Sequence, residues 1–568
     1  MGKKSEQQEL NTPTGGHAAA IVALCTLVGL VLRVELARRS GIWADEAQFL
    51  WIVRIPTFKA MIDFLSHHES HPPLFYILMR GWLAIFGDSE RAALALPVLL
   101  GTALIPASYY VGKRAFSRQT GLSAALLIAV VPLLALYSGF VRPYSLLPVL
   151  CLGSTYLLWR GLHGAPAKIW VLHVIVTLAM LLTHHWAWMV VGAEAVVVIF
   201  FFITARIRYS VLWGWLLAQF ALVAGYSPWL PALLRQARHA GHGPCSVNPL
   251  QAFYLFTVCM TSLPLGCLLA VAVVLIFALV SRMWHQPPRE NRHAPSMAAA
   301  GPLHLFLAVP LIAYSLAVVL SYRSNLYSLD RCLIMLTPGF IVVIAHCLVS
   351  LRNGERLVGL LGCAYLILSI LTLGSIKSNS SALAASVTSQ ADPADLLVIA
   401  PFWVSSSFDY YYCNYCKDTM IKHIVYPYNY EFGMIDYNRT KNRLLDPAAM
   451  ARFRVEIDEA CRTGRRIWLV RLNDPPETVR IPTESNEVPS EAKDLTYADL
   501  GHSRADQIIR IIESKFDKPI REIGPPDHPQ GMEILRLSLY QRGDATLGEI
   551  GANKSIDGKG KGRASQRR

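Results

Sequence analysis

The sequence has 568 residues, of which 53% are hydrophobic and 16% charged. A soluble domain carries about 25% charge, so an ordinary soluble enzyme, a disordered chain and a disulfide scaffold are excluded. A polytopic membrane protein with soluble mass attached is favoured. The net charge of +14, from 53 Lys+Arg against 39 Asp+Glu, fits basic cytoplasmic loops; no nucleic-acid recognition motif accompanies it, and no nucleic-acid partner is expected.

Residues 1–16 form a polar tail with Lys3 and Lys4, read as cytoplasmic, and the apolar stretch after it lacks a cleavage pattern. It is expected to be an uncleaved anchor. A crossing helix needs about 20 mostly apolar residues. Eleven segments qualify: 17–36, 92–112, 120–139, 144–161, 169–186, 187–205, 211–230, 252–280, 303–321, 332–351 and 357–374. The run 72–87 is short, starts with Pro72-Pro73 and carries Arg80 in its middle. If it does not cross, the compact basic loops near Lys113, Arg160, Arg206, Arg289 and Arg352 all face the cytoplasm. That bias favours a re-entrant or interfacial helix at 72–87. The expected fold is therefore mostly α. It is a polytopic membrane protein of about eleven transmembrane helices over 17–375, with a long first outward loop at 37–90. The odd number of crossings places the C-terminal part outside.

Beyond Ser375 charge becomes frequent. The polar stretch 377–395, rich in Ser and Ala, reads as a linker. Residues 395–401 and 465–476 have strand-length apolar runs, and residues 504–516 place apolar residues at helical spacing. Alternation of the two suggests an extracytoplasmic α/β domain over 376–545. No glycine fingerprint is present, so no nucleotide cofactor is expected. Cys413 and Cys416 form the one close cysteine pair; a disulfide and two free thiols both stay open. Residues 546–568 are basic and rich in Gly and Ser, and are expected to be disordered.

Polar residues gather at the outward ends of the spans. Asp45-Glu46 follows the first span. It reads either as an acidic first helical turn with Asp45 as N-cap or as a general base at an apolar boundary. His67-His68-Glu69-Ser70-His71 could bind a divalent metal, or His71 could donate to a phosphate or a sugar hydroxyl. Arg142, beside Tyr144, has no acidic neighbour in sequence and is either a snorkelling arginine or a bidentate phosphate ligand. His184-His185 and Tyr322, with Arg331, complete the set.

Together these residues resemble the GT-C class of polyprenyl-phosphate-sugar-dependent membrane glycosyltransferases, which includes protein O-mannosyltransferases and lipid A aminoarabinose transferases. The carrying motifs are Asp45-Glu46, the run from His71 to Tyr76, Arg142 to Tyr144, Thr183 to His185, Ser227 to Pro231, and Arg331 to Pro338. The resemblance implies a polyprenyl-phosphate-linked sugar donor and an envelope lipid, glycan or protein acceptor. It implies Asp45 as catalytic base, Glu46 as support for the site or acceptor, and Arg142 and Arg331 as ligands of the donor phosphate. The chain departs from both branches around His71 and Arg142, so neither branch's acceptor carries over. A multi-pass location in the cell membrane follows. The rival classes are a transporter or lipid flippase and a sensor with an outward domain. No internal repeat supports the first of these.

Overall fold

The computed structural model describes residues 15–39, 41–239, 301–321, 331, 333–374, 376–415, 421–427, 442–474, 478–490, 497–516, 518–524 and 531–541. In chain order, the long helix α1 (Gly15–Arg39) leads to three short ones, α2 (Ala44–Val53), α3 (Phe58–His68) and α4 (Leu74–Phe86). There follow α5 (Glu90–Ala115), α6 (Arg118–Val130), α7 (Pro132–Tyr137), α8 (Leu146–Leu162), α9 (Ala167–Leu181), α10 (Ala187–Ile203), α11 (Tyr209–Tyr226) and α12 (Leu230–His239). Then come α13 (Pro302–Ser321), α14 (Thr337–Val349) and α15 (Gly354–Leu371).

Among the described residues, 5 helical runs are long and apolar enough to cross a membrane: α1, α5, α11 with α12, α13 and α15. Helices α4, α6, α8, α9, α10 and the run Ile334–Val349 are apolar but shorter. The protein is thus an integral, multi-pass membrane protein. Every expected span except 252–280, which lies outside the described residues, overlaps helix. The eleven full-length crossings are not reproduced as such, because several of these helices are shorter than expected.

The clearest difference is at 120–139. Two helices, α6 and α7, stand where one was expected, because Pro132 has no N–H to return to the Ile128 carbonyl. Arg33 of α1, fully buried, fills the break. It donates to the carbonyls of Ile128 (3.0 Å), Ala129 (2.9 Å) and Gly29 (3.0 Å), and to Ser138 Oγ (3.2 Å). Gly101 leaves the room this needs, since a Cβ there would collide with Ser138 Oγ. Arg33→Met is expected to lower the melting temperature of the detergent-solubilised protein, because each orphaned buried group costs on the order of 1–3 kcal/mol. An unchanged melting temperature would contradict this account of the break.

Helix α4 has 13 residues, about 20 Å at 1.5 Å per residue. It packs on α5 and α2. Arg80, unexpected in an apolar run, donates to the carbonyls of Val53 (2.9 Å), Ile55 (2.6 Å) and Pro56 (2.8 Å), which the end of α2 leaves open. Arg54 grips Asp88 through three contacts of 2.9–3.1 Å. These contacts tie α4 and the turn after it to the end of α2 and to the turn that leads into α3.

The C-terminal region contains β1 (Ile376–Ser378), α16 (Ser380–Gln390), β2 (Leu396–Ala400), α17 (Val404–Tyr415), β3 (Lys422–Val425), α18 (Pro447–Arg462), β4 (Ile467–Leu472), α19 (Tyr497–Lys515), β5 (Arg521–Ile523), β6 (Gly531–Glu533) and β7 (Leu535–Tyr540). One sheet has the order β3-β2-β4-β7-β5. Strand β2 is parallel to β3 and β4, and β7 is antiparallel to β4 and β5. Strand β2 is buried along its whole length, as a strand covered on both faces must be. The expected α/β alternation is present. The expected linker at 377–395 is not a linker. It is β1, paired parallel with β6, followed by α16, whose Leu383, Ala384 and Val387 are buried at helical spacing. Cys416 and residues 546–568 lie outside the described residues.

Candidate active site

Helix α2 carries the site. Trp43, extended at φ −102° and ψ 175°, is its N-cap, so Asp45 sits inside the first turn and is not the cap. Glu46 reaches back to accept the Trp43 N–H at 3.2 Å. This fixes the turn and leaves the Asp45 carboxylate free to face Arg331, whose Nη1 is 3.3 Å from its Oδ2. The Arg331 guanidinium lies 4.8 Å from the centre of the Trp43 ring, within cation–π range.

Arg142 arrives on the loop between α7 and α8. Its Nη1 lies 3.5 Å from the Asp45 carbonyl oxygen, and its Nη2 lies 3.4 Å from His71 Nε2. If His71 accepts there, its Nδ1 bears the proton and donates to Glu69 Oε1 at 3.0 Å. The Ser70 N–H also donates to this oxygen, at 2.8 Å. Burial alone would raise the Glu69 carboxyl, but His71, Arg142 and the Ser70 amide hold it down at about 2. Burial likewise opposes the charge on Arg142, but Tyr76, Tyr144, Asp45 and Glu69 outweigh it and raise its value further. Arg142 is therefore a buried, permanently charged cation, and its Nε–H has no hydrogen-bond acceptor among the described residues.

His184 meets the His71 ring edge-on, with centroids 5.2 Å apart, and accepts the Trp186 N–H at 3.2 Å. Tyr144 is buried against Tyr137 and Phe140, with centroids at 5.3 and 6.4 Å.

The structure therefore brings Asp45, His71, Arg142, Tyr144, His184 and Arg331 together. Three candidates fare differently. His185 turns away, to Gln236 Oε1 at 2.7 Å and the Tyr226 hydroxyl at 3.4 Å, and so holds α11 and α12 in place. Glu46 is fully enclosed. It accepts from Lys377 Nζ at 2.8 Å on each oxygen and from the Val141 N–H at 2.6 Å. Its position is that of a support for the turn and for the Arg142 loop, not of a second reacting carboxylate. Tyr322 lies outside the described residues.

The expected histidine cluster is dispersed. His67 is engaged with the Asp63 carbonyl at 2.9 Å and with Ser66, and His68 lies against Phe64 with ring centroids 5.1 Å apart. Among the described residues no group of three or more His, Cys, Asp or Glu side chains could hold a metal ion.

Sequence reasoning missed Glu69 as an anchor for His71, and it missed Lys377 and Glu533 entirely. Glu69 stood within a motif read for metal binding. A single lysine just past the last apolar run was the signal for Lys377. It also missed a buried polar cluster midway along α8, α9 and α10. There Ser154 and Thr155 donate to Glu194 at 3.2 and 3.3 Å, and His173 Nε2 lies 4.0 Å from it. The polar groups are thus not confined to the span ends.

Residues 70–231 match the family model described as dolichyl-phosphate-mannose-protein mannosyltransferase. Asp45 and Arg331 lie outside that match. Over 341 residues the chain is 29% identical to the undecaprenyl phosphate-alpha-4-amino-4-deoxy-L-arabinose arabinosyl transferase of Pseudomonas paraeruginosa, covering 55% of this chain and 53% of the relative. The chain thus spans about half the length of that curated relative. Two crystal structures are similar, both of ArnT from Cupriavidus metallidurans. The apo form has a TM-score of 0.54 at 14% identity, covering 81% of this chain and 94% of that one. The form bound to undecaprenyl phosphate has a TM-score of 0.51 at 12% identity, with the same coverage. At such identities the structural likeness is one of fold. The resemblance to the GT-C membrane glycosyltransferases therefore holds in sequence and in fold.

Proposed function

We propose that this chain is a membrane glycosyltransferase that moves a sugar from a polyprenyl-phosphate donor to a hydroxyl of an envelope lipid, glycan or protein. The donor class is that of the similar arabinosyl transferase, which is named for an undecaprenyl phosphate sugar. The charge bias of the basic loops supports a site that opens on the outer face of the membrane, with the C-terminal domain, residues 376–545, on the same side.

The observation that carries this proposal is the convergence of two guanidiniums on Asp45, Arg331 on its carboxylate at 3.3 Å and Arg142 on its backbone carbonyl at 3.5 Å. The acceptor hydroxyl oxygen attacks the anomeric carbon. Its proton passes to Asp45 as the C–O bond forms, and the bond from the anomeric carbon to the phosphate oxygen breaks. The products are a glycoside of inverted configuration and a polyprenyl phosphate. Negative charge grows on the departing phosphate, where preorganised arginines stabilise the transition state more than the ground state. Arg331 pairs with the Asp45 carboxylate at 3.3 Å. A bound phosphate competes for that arginine and releases the carboxylate to act as base. The unmet Arg142 Nε–H is a further donor for phosphate oxygen.

The second reading, a transporter or flippase, is favoured by the mid-helix cluster around Glu194, since intramembrane ionisable groups mark transport paths. Two assays on the purified chain separate them. Sugar transfer from a polyprenyl-phosphate donor in detergent supports the glycosyltransferase. Flux of donor lipid across proteoliposomes with no transfer would overturn it.

A further inference from the structure

The turn that bears Asp45 is held from the C-terminal domain. The Ile42 N–H donates to the Tyr411 hydroxyl at 2.7 Å, and the Ala44 N–H donates to Glu533 Oε2 at 3.0 Å. Lys377 donates to both Glu46 oxygens at 2.8 Å and to the Gly139 carbonyl at 2.8 Å. Gly41, at φ +64°, lets β1 approach so closely that a Cβ would sit 3.0 Å from the Ser378 carbonyl oxygen. The backbone that leads into Asp45 and the side chain of Glu46 that follows it are thus held by residues more than three hundred positions away. Glu46 carries the same restraint on to Val141, the neighbour of Arg142.

We propose that Lys377 and Glu533 are positioning residues for sugar transfer: they clamp α2 so that Asp45 faces Arg331 and Arg142, which makes the C-terminal domain a wall of the reaction centre. This rests on Asp45 being the base.

Glu533 is buried and accepts from Ser378 Oγ (3.0 Å), Ser380 Oγ (3.2 Å), Ser407 Oγ and the Ala44 amide. Four donors suit a carboxylate, and its charge favours the N-terminus of α2. Charged and titratable groups on the surrounding elements are engaged elsewhere. Lys377 serves Glu46, Asp45 faces Arg331, Tyr411 donates to Glu90, Arg54 stacks on Tyr410, and Asp409 faces His423. Burial pushes the Glu533 carboxyl up to about 7, against the pull of its donors. That lies above the value of about 4.3 in an unfolded chain. Between the two the folded state binds more protons, so acidification through this window favours folding as far as this group is concerned. It also discharges the clamp. Stability and turnover should therefore respond to acid in opposite directions, which a merely structural glutamate would not produce.

The test uses the full chain in detergent with a polyprenyl-phosphate sugar donor. Transfer kinetics are followed against pH, with amide hydrogen exchange across residues 42–47. For Glu533→Gln we expect kcat to fall about tenfold at pH 8, since small misplacements of a reacting group are costly. Donor KM should stay within about twofold. The acid limb near neutrality should disappear, and exchange across 42–47 should quicken. Lys377→Met should lower kcat at every pH. Wild-type kcat, pH profile and exchange in Glu533→Gln, in a preparation whose Asp45→Asn counterpart is inactive, would overturn the clamp. If Asp45→Asn stays active, the base assignment falls instead, while quickened exchange in Glu533→Gln would still support the clamp.

Discussion

Asp45→Asn is expected to lower kcat for sugar transfer by about 10²–10⁴, the usual worth of one general base, and to leave donor KM nearly unchanged. Asparagine keeps the size and the first-turn position of Asp45 but cannot take the hydroxyl proton. The substitution removes the Asp45–Arg331 ion pair, so Arg331 is released to the phosphate and the donor should bind no worse. A lowered kcat with unchanged KM marks a group that acts in the transition state. A raised KM with unchanged kcat would reassign Asp45 to binding. Melting of the variant should stay close to that of the wild type, because the carboxylate is partly exposed, at 35% side-chain accessibility.

The second large effect is at Arg142. Arg142→Ala is expected to reduce kcat by about 10²–10³, as for removal of one preorganised oxyanion donor. It also strands Glu69, which is held ionised partly by this arginine. Arg142→Lys should rescue little, because a single ammonium cannot span the Asp45 carbonyl and His71 together and lacks the planar fork. Steady-state kinetics of both variants, with melting curves to show that they fold, check this. Full activity in Arg142→Lys would show that charge alone is needed at this position.

The membrane part was legible because a crossing helix must be an apolar run of a set length, and such runs are visible in α1, α5, α13 and α15. The break at Pro132 was hidden inside an apolar run. What makes the break tolerable is Arg33, 95 residues away from the Ile128 carbonyl it satisfies, and no local pattern reports that. The candidate site was legible where a charge stands against an apolar span end. Asp45, Arg142 and Arg331 are conspicuous there because uncompensated charge is costly. Glu46 was placed beside Asp45 by its neighbour's role, yet adjacent residues of a helix point about 100° apart, and Glu46 turns inward to Lys377. The stretch 377–395 was misread because Ser and Ala read as a linker. Its first residue is buried only through a partner 331 positions away. Glu533 sits on a three-residue strand, too short to show a period. Long-range pairs of this kind set the geometry of the turn, and they are the part that sequence spacing does not encode.

The most direct test of the central claim is mass spectrometry of envelope glycolipids and glycans from cells lacking this chain and supplied with either wild type or Asp45→Asn. The prediction is a sugar-bearing species present only with the wild type, with the matching polyprenyl-phosphate sugar accumulating in the variant. Identical profiles in the two, at equal protein levels, would contradict a sugar transfer that runs through Asp45.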